Sequence, residues 1–273
     1  MGPACKRART ENSPLTIHIV YGILVVCTVG LAALGGLALV QRLVHHKLRQ
    51  EHNDVAGFIY AVLGVIYAVL LALVVIAVWE EYEAAKRTVE SEANALAEIF
   101  WLAHRLPESE GRHLQELARS YAEEVVDEEW PLMEQGRASP RGWVLIDDIR
   151  ATLQGVEPLT GADQAVYAEG LDQVQRLGDA RRMRWAEVNE GIPAVQWVVL
   201  IIGGMATVGF AYFFGLENTW SHRLMVGTLA GVISLVLFTV GALEHPFSGG
   251  ARIGPDAFEL ILDRFETSKL SRL

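Results

Sequence analysis

Few residues in this sequence stand at spacings that do chemistry. His45, His46 and His52 share a short polar segment with Asp54, offering the imidazole and carboxylate groups that zinc takes. Nothing in the sequence fixes their geometry, so the segment reads first as a solvated interfacial loop. Glu80, Glu81 and Glu83 follow directly on an apolar run. In a symmetric assembly such carboxylates recur as a ring that attracts cations; in a single helix they are simply an exposed face. His18 reads as an interfacial side chain rather than a proton relay. There is no serine-centred elbow, no glycine-rich phosphate loop before a helix, and no cysteine pair at ligand spacing. Cys27 falls inside an apolar run and Cys5 has no neighbour to pair with, so neither a disulfide framework nor a thiolate metal site is expected. The sequence predicts no enzyme, no cofactor and no bound metal.

What must position any functional residue is a set of apolar helices. The chain has 273 residues, 51% of them hydrophobic, with mean hydropathy +0.25. The apolarity is concentrated in Leu15–Val40, Val55–Trp79, Ala194–Leu216 and Leu224–Leu243, and none of these runs holds Lys, Arg, Asp or Glu. Each is long enough to cross roughly 30 Å of hydrocarbon at about 1.5 Å per residue. The expected fold is all-α: a polytopic membrane protein with four transmembrane helices and a cytosolic helical bundle. The expected divisions are a flank at 1–14, spans one and two within 15–79, a soluble helical domain at 80–191, spans three and four within 192–243, and a Pro/Gly turn with an amphipathic helix at 244–273. Lys6, Arg7 and Arg9 precede the first run in the manner of a signal peptide, but the run is too long and lacks a small-residue cleavage site. It is read as a retained signal anchor.

Charge sets orientation and partners. The net charge of −10 sits mostly between spans two and three, with no basic tract, which argues against nucleic acid as a partner. With the N-terminus inside, the inner flanks carry Lys6, Arg7, Arg9, Lys86, Arg87, Arg176, Arg181, Arg182, Arg184 and Arg252. The outer loops carry Arg42, Lys47, Arg49 and Arg223. Positive charge favours the inner side, so both termini are expected in the cytoplasm of a plasma (inner) membrane protein.

Span two carries the most pattern. Asp54 is a candidate N-cap, and the short loop before it predicts that spans one and two are antiparallel neighbours. Gly57, Ala61, Gly64, Ala68 and Ala72 fall on one helical face suited to close approach by another helix. Tyr60, Tyr67, Leu71 and Val74 form an adjacent stripe. No breaker follows Trp79, so the helix is expected to run on through Val89, Ala93, Leu96, Phe100 and Ala103 until Leu106-Pro107. Three further soluble helices are expected: one through Leu114, Leu117, Tyr121 and Val125 to Trp130-Pro131, one capped by Ser139-Pro140, and one from about Ala162 towards Glu190. After span four, His245, Pro246, Phe247 and Gly249 form a structural turn. Helix breaking accounts for its Pro and Gly, whereas Phe247 and Phe258 are expected to pack back on the bundle.

At His52-Asn53-Asp54-Val55-Ala56-Gly57-Phe58-Ile59-Tyr60, Trp79-Glu80, Glu92-Ala93-Asn94-Ala95-Leu96 and Glu244 to Gly249, the sequence resembles a family of bacterial membrane proteins called bestrophin-like, over nearly its whole length. Bestrophins proper are oligomeric chloride channels gated by calcium, with a Pro-Phe-Gly turn that leads into an acidic calcium-holding run. Here Pro246-Phe247 is followed by Ser248-Gly249-Gly250-Ala251-Arg252, and the acidic run is missing. The resemblance implies a homo-oligomeric channel in the lipid bilayer, with inorganic ions, chloride first, as what it passes. Asn53, Asp54, Gly57, Tyr60, Gly64, Tyr67, Leu71, Val74 and Glu80 are then the candidate pore-lining residues, with packing inside the bundle or against lipid as the alternative. Two other functions stay open: a cation channel with acidic rings at Asp54 and Glu80, and a non-conducting scaffold or sensor.

Overall fold

In a computed structural model, residues 14–44, 53–189, 191–215 and 218–270 are described. Their regular structure is entirely helical, with no strand among them. The helices are α1 (Pro14–Leu43), α2 (Asn53–Leu102), α3 (Glu108–Glu124), α4 (Trp130–Met133), α5 (Arg141–Gln154), α6 (Gly161–Asn189), α7 (Ala194–Ala211), α8 (Thr219–Leu243) and α9 (Asp256–Leu270). The chain divides into two compact units, residues 1–79 with 192–244, and residues 80–191 with 245–273.

The first unit holds four helices long and apolar enough to cross a membrane, and most of their surface is not covered by the chain itself. α1 and α8 pack antiparallel along their length. The Phe238 ring lies so close to Gly22 that a methyl group there would sit 2.7 Å from it. One buried apolar cluster of this unit is Ala33, Leu37, Ala211, Val226 and Ala230. α1 packs along α8, with α7 also against it. The reason is shape: small residues on α1 and α8, Gly22, Ala33 and Ala230 among them, let these two backbones approach. α7 ends at Ala211 instead of Leu216, where the chain turns through Tyr212 and Phe213. α8 begins at Thr219, ahead of Leu224, because the Asn218 side chain accepts from the Trp220 and Ser221 amides at 3.0 and 3.2 Å and caps the first turn.

The second unit is a helical bundle around Leu96, Ile99, Phe100, Leu114, Tyr121, Ile146, Ile149, Leu153, Leu177, Phe258 and Phe265, all buried. α2 runs into it without a break over its 50 residues and is closed by a 3-10 turn at Ala103–Arg105 before Pro107. The helical run that begins with α3 ends at Met133, close to the expected Trp130-Pro131, but it is not one regular helix. Pro131 has no amide hydrogen, and its ring crowds the carbonyl of Asp127, so the helix widens into a π turn at Val125–Glu129 and resumes as α4. That turn keeps Val125, Glu129 and Met133 all facing the core. At α5 the helix opens at Arg141; Ser139 Oγ accepts from the Arg141 amide at 3.3 Å and donates to Glu124 at 2.5 Å. Phe247 and Phe258 do pack into this bundle, both beside Trp130, whose indole N–H donates to the Ile253 carbonyl at 3.2 Å.

Candidate conduction pathway and buried charge network

Within the first unit α2 presents three faces. One is packed: Tyr67 is 5% exposed, its ring lies over Gly203 and Gly204, and its hydroxyl donates to the Leu200 carbonyl at 3.0 Å. Tyr60 stacks on Phe210 at 5.8 Å and meets Phe214 edge-on at 5.4 Å, and Val78, at the far end of this stripe, is buried. Leu71 and Val74 flank this face and are half-buried. The second face carries large apolar side chains, Phe58, Val65, Ile66, Val69 and Leu73, all exposed. The third is the small-residue stripe. Ala61, Ala68 and Ala72 are exposed, and a methyl group on Gly64 would meet nothing within 4 Å. Gly57 is the exception, with the Phe214 ring at 4.0 Å from the same position.

The two ends of the uncharged stretch of α2 differ. Asn53 is held on both sides of its amide by one residue: Nδ2 donates to the Gly215 carbonyl and Oδ1 accepts from the Gly215 amide, each at 3.0 Å. Asp54 follows in the first turn of α2, one residue inside the helix start, rather than at the N-cap position. Glu80, in the middle of α2 where its uncharged stretch stops, is exposed. His45, His46 and His52 lie outside the described residues, and no group of three His, Cys, Asp or Glu comes together among the described ones. In the turn after α8, His245 is exposed while Pro246 and Phe247 are buried, and Gly249 donates its amide to the His245 carbonyl at 2.7 Å. Just before it, Glu244 Oε1 accepts from the Ile192 amide and from the Trp197 indole, both at 3.0 Å, anchoring the start of α7.

The second unit contains a feature that hydropathy reading passed over. Arg181 and Arg184 of α6 are fully buried. Arg184 pairs in bidentate fashion with Glu92 of α2, Nε to Oε2 at 2.6 Å and Nη2 to Oε1 at 2.9 Å. Arg181 Nη1 donates to Glu129 at 2.5 Å and Nη2 to the Ser139 carbonyl at 3.0 Å. Tyr121 donates to Glu92 at 2.5 Å and accepts from Arg181 at 3.3 Å; the Trp185 indole donates to Glu129 at 2.8 Å. Two arginines and two glutamates thus form a neutral hydrogen-bonded quartet, in which Arg181 Nε has no partner among the described residues; paired in this way, buried charge is tolerated. Burial opposes the charge on Arg184, but Glu92 and Glu129 outweigh it and raise its pKa. Burial, reinforced by Glu92, holds the Tyr121 hydroxyl well above the usual tyrosine range. The periodicity held a signal for this: Arg181 and Arg184 continue the apolar face of Val174 and Leu177, where a solvated arginine has no place.

Four apolar crossings joined to a helical bundle make the chain a polytopic α-helical membrane protein. The family model described as Bestrophin-like domain matches residues 27–258, and the chain belongs to that family. Its fold is similar to the crystal structure of a bacterial bestrophin homologue from Klebsiella pneumoniae solved by zinc phasing, at 13% identity and a TM-score of 0.65, covering 90% of this chain and 96% of that one. A point variant of that Klebsiella pneumoniae homologue matches with a TM-score of 0.65 at 13% identity, covering 90% and 97%. A structure described as a membrane protein variant matches at 12% identity with a TM-score of 0.65, covering 93% and 97%. At these identities the likeness shows the fold. A search of curated protein sequences finds no match.

Proposed function

We propose that copies of this chain assemble around an axial pathway lined by α2, and that the assembly conducts anions, chloride first. The observation that carries this reading is the state of α2. From Val55 to Trp79 it has no charge, and two of its three faces are left uncovered by its own chain. The small-residue face suits contact with a second copy, and the large apolar face suits a narrow, weakly binding lining or lipid. On this reading Gly64, with Leu71 and Val74 at the edge of the packed stripe, lies nearest the pathway or the neighbouring copy. Tyr60, Tyr67 and Asn53 act one layer back, by fixing α2 against α7 and the Gly215 turn. The family's bestrophin relatives support the channel class and the anion. The missing acidic run after Phe247 argues against the calcium site of bestrophins proper. In the proposed topology both termini and the second unit lie in the cytoplasm of the cell membrane.

The second reading is a cation channel, favoured by the exposed Glu80 at the end of the uncharged stretch together with Asp54 at the other. Liposomes holding purified protein separate the two. Chloride entry followed by a quenched dye, insensitive to replacing potassium by a large organic cation, supports anion conduction. Flux that follows the cation, and falls in Glu80→Gln, supports the alternative. Absence of both fluxes supports a scaffold.

A further inference from the structure

On the second unit two arginines from different helices bring their unused nitrogens near one glycine, Gly178. Arg150 of α5 bonds Asp147 through Nη1 at 3.0 Å, and Arg182 of α6 bonds Asp179 through Nη2. Each guanidinium has a second terminal nitrogen. A methyl group built on Gly178 would lie 3.6 Å from Arg182 Nη1 and 3.9 Å from Arg150 Nη2, so both free nitrogens stand within 4 Å of one spot. Trp143 forms the side wall, with its Cζ3 4.0 Å from that spot and the Arg182 guanidinium 5.9 Å from its ring centre. The floor is Gly178, buried, where any side chain would fill the gap. Both arginines remain open to solvent, at 41% and 59% side-chain exposure.

We infer that this gap is a binding site for a phosphate-type oxyanion. Two like charges brought together on one surface repel unless something negative lies between them. Asp147 and Asp179 each engage one terminal nitrogen and leave the other, Arg150 Nη2 and Arg182 Nη1, beside Gly178. One tetrahedral oxyanion there accepts from both through charge-assisted bonds of about 2.7–2.9 Å. Because the two carboxylates make the surroundings close to neutral, selectivity comes from the directed N–H donors rather than from a field. Chloride, with no fixed set of acceptor directions, gains little from that arrangement. The chemistry is that of free phosphate or of a lipid phosphate. The inference stands apart from the channel reading, since it concerns binding to the second unit alone.

The test uses the full chain in phosphatidylcholine nanodiscs and radiolabelled orthophosphate at constant ionic strength. The expected result is saturable binding that sulfate displaces and chloride does not. Arg150→Gln with Arg182→Gln should weaken it about tenfold, the change that about 1.4 kcal/mol of lost contact gives. Gly178→Ala should weaken it less, and its methyl group lies at ordinary contact distances, so this variant folds. Nanodiscs containing phosphatidate identify the source. Loss of orthophosphate binding there assigns the site to a lipid headgroup, and retained binding assigns it to soluble phosphate. No saturable binding, equal displacement by chloride, or binding unchanged in the double variant overturns the inference.

Discussion

Replacing Glu92 by Gln keeps the shape of the buried quartet but removes one negative charge. The glutamine amide can still accept from Tyr121, yet Arg184 then faces a neutral group where it had a bidentate carboxylate at 2.6 and 2.9 Å. Its remaining carboxylate, Glu129 at 3.6 Å, is already engaged by Arg181 at 2.5 Å. The unit is left with one uncompensated positive charge at zero side-chain exposure. Breaking a buried pair in this way costs about 3–5 kcal/mol. For a chain of this size each kcal/mol moves the thermal midpoint by about 3 °C, so Glu92→Gln should lower it by about 10–15 °C. The double variant Glu92→Gln with Arg184→Met removes the stranded charge and leaves Glu129 paired with Arg181. Methionine also has the length to fill the space beside Trp130 and Met133. The double variant should therefore be more stable than Glu92→Gln alone, an inversion that independent contacts never give. Near-ultraviolet circular dichroism of the detergent-purified chain reads tertiary melting of the bundle directly. Additive losses, or a Glu92→Gln midpoint within about 2 °C of the parent, a change below about 1 kcal/mol, would refute the quartet as a coupled unit.

Tyr121 gives the bundle an alkaline limit. Its pKa is raised in the fold by burial and by Glu92, so stability is fully present below the usual tyrosine value near 10 and is lost as pH rises above it, because only the unfolded state then releases the proton. The slope should be about 1.4 kcal/mol per pH unit steeper than in Tyr121→Phe, checked by urea titrations at stepped pH. Gly64→Leu fills a position with nothing within 4 Å in the single chain, so it should leave folding intact and shift the detergent complex to smaller species on multi-angle light scattering. An unchanged mass would remove that face from the interface between copies. For topology, Leu159 is 88% exposed and Ser139 is buried, so a cysteine at 159 in a cysteine-free background is the informative label site. It should resist an impermeant thiol reagent in intact cells and react after lysis; rapid labelling in intact cells would invert the orientation.

The four crossings were legible because hydropathy is a one-body property: each of α1, α2, α7 and α8 announces itself by composition alone. So was the long run of α2 to Leu106-Pro107, since no breaker interrupts it, and so was the return of Phe247 and Phe258 to the bundle. Pairwise properties were not legible. The packing of α1 on α8 depends on Gly22 meeting Phe238, two residues remote in sequence. Tyr67 shares a stripe with Leu71 and Val74, but only the matching Gly203-Gly204 on α7 makes it a packed residue. Glu92 and Arg184 stand 92 residues apart, and each by itself resembles a solvated charge. Arg181 and Arg184 were accordingly counted as inner-flank charges, when both are neutralised inside the bundle. The π turn could have been read from Pro131, whose missing amide hydrogen demands an adjustment in any helix that continues past it.

The central claim is that an assembly of this chain passes anions along α2. Planar-bilayer recording of the purified protein with a tenfold potassium chloride gradient tests it most directly, because a tenfold ratio sets the two perfectly selective limits about 59 mV to either side of zero. Anion conduction predicts unitary currents reversing towards the chloride limit, at a potential that holds when potassium is exchanged for a large organic cation. Reversal towards the potassium limit contradicts the anion assignment, and silence from protein that is folded and oligomeric contradicts the channel itself.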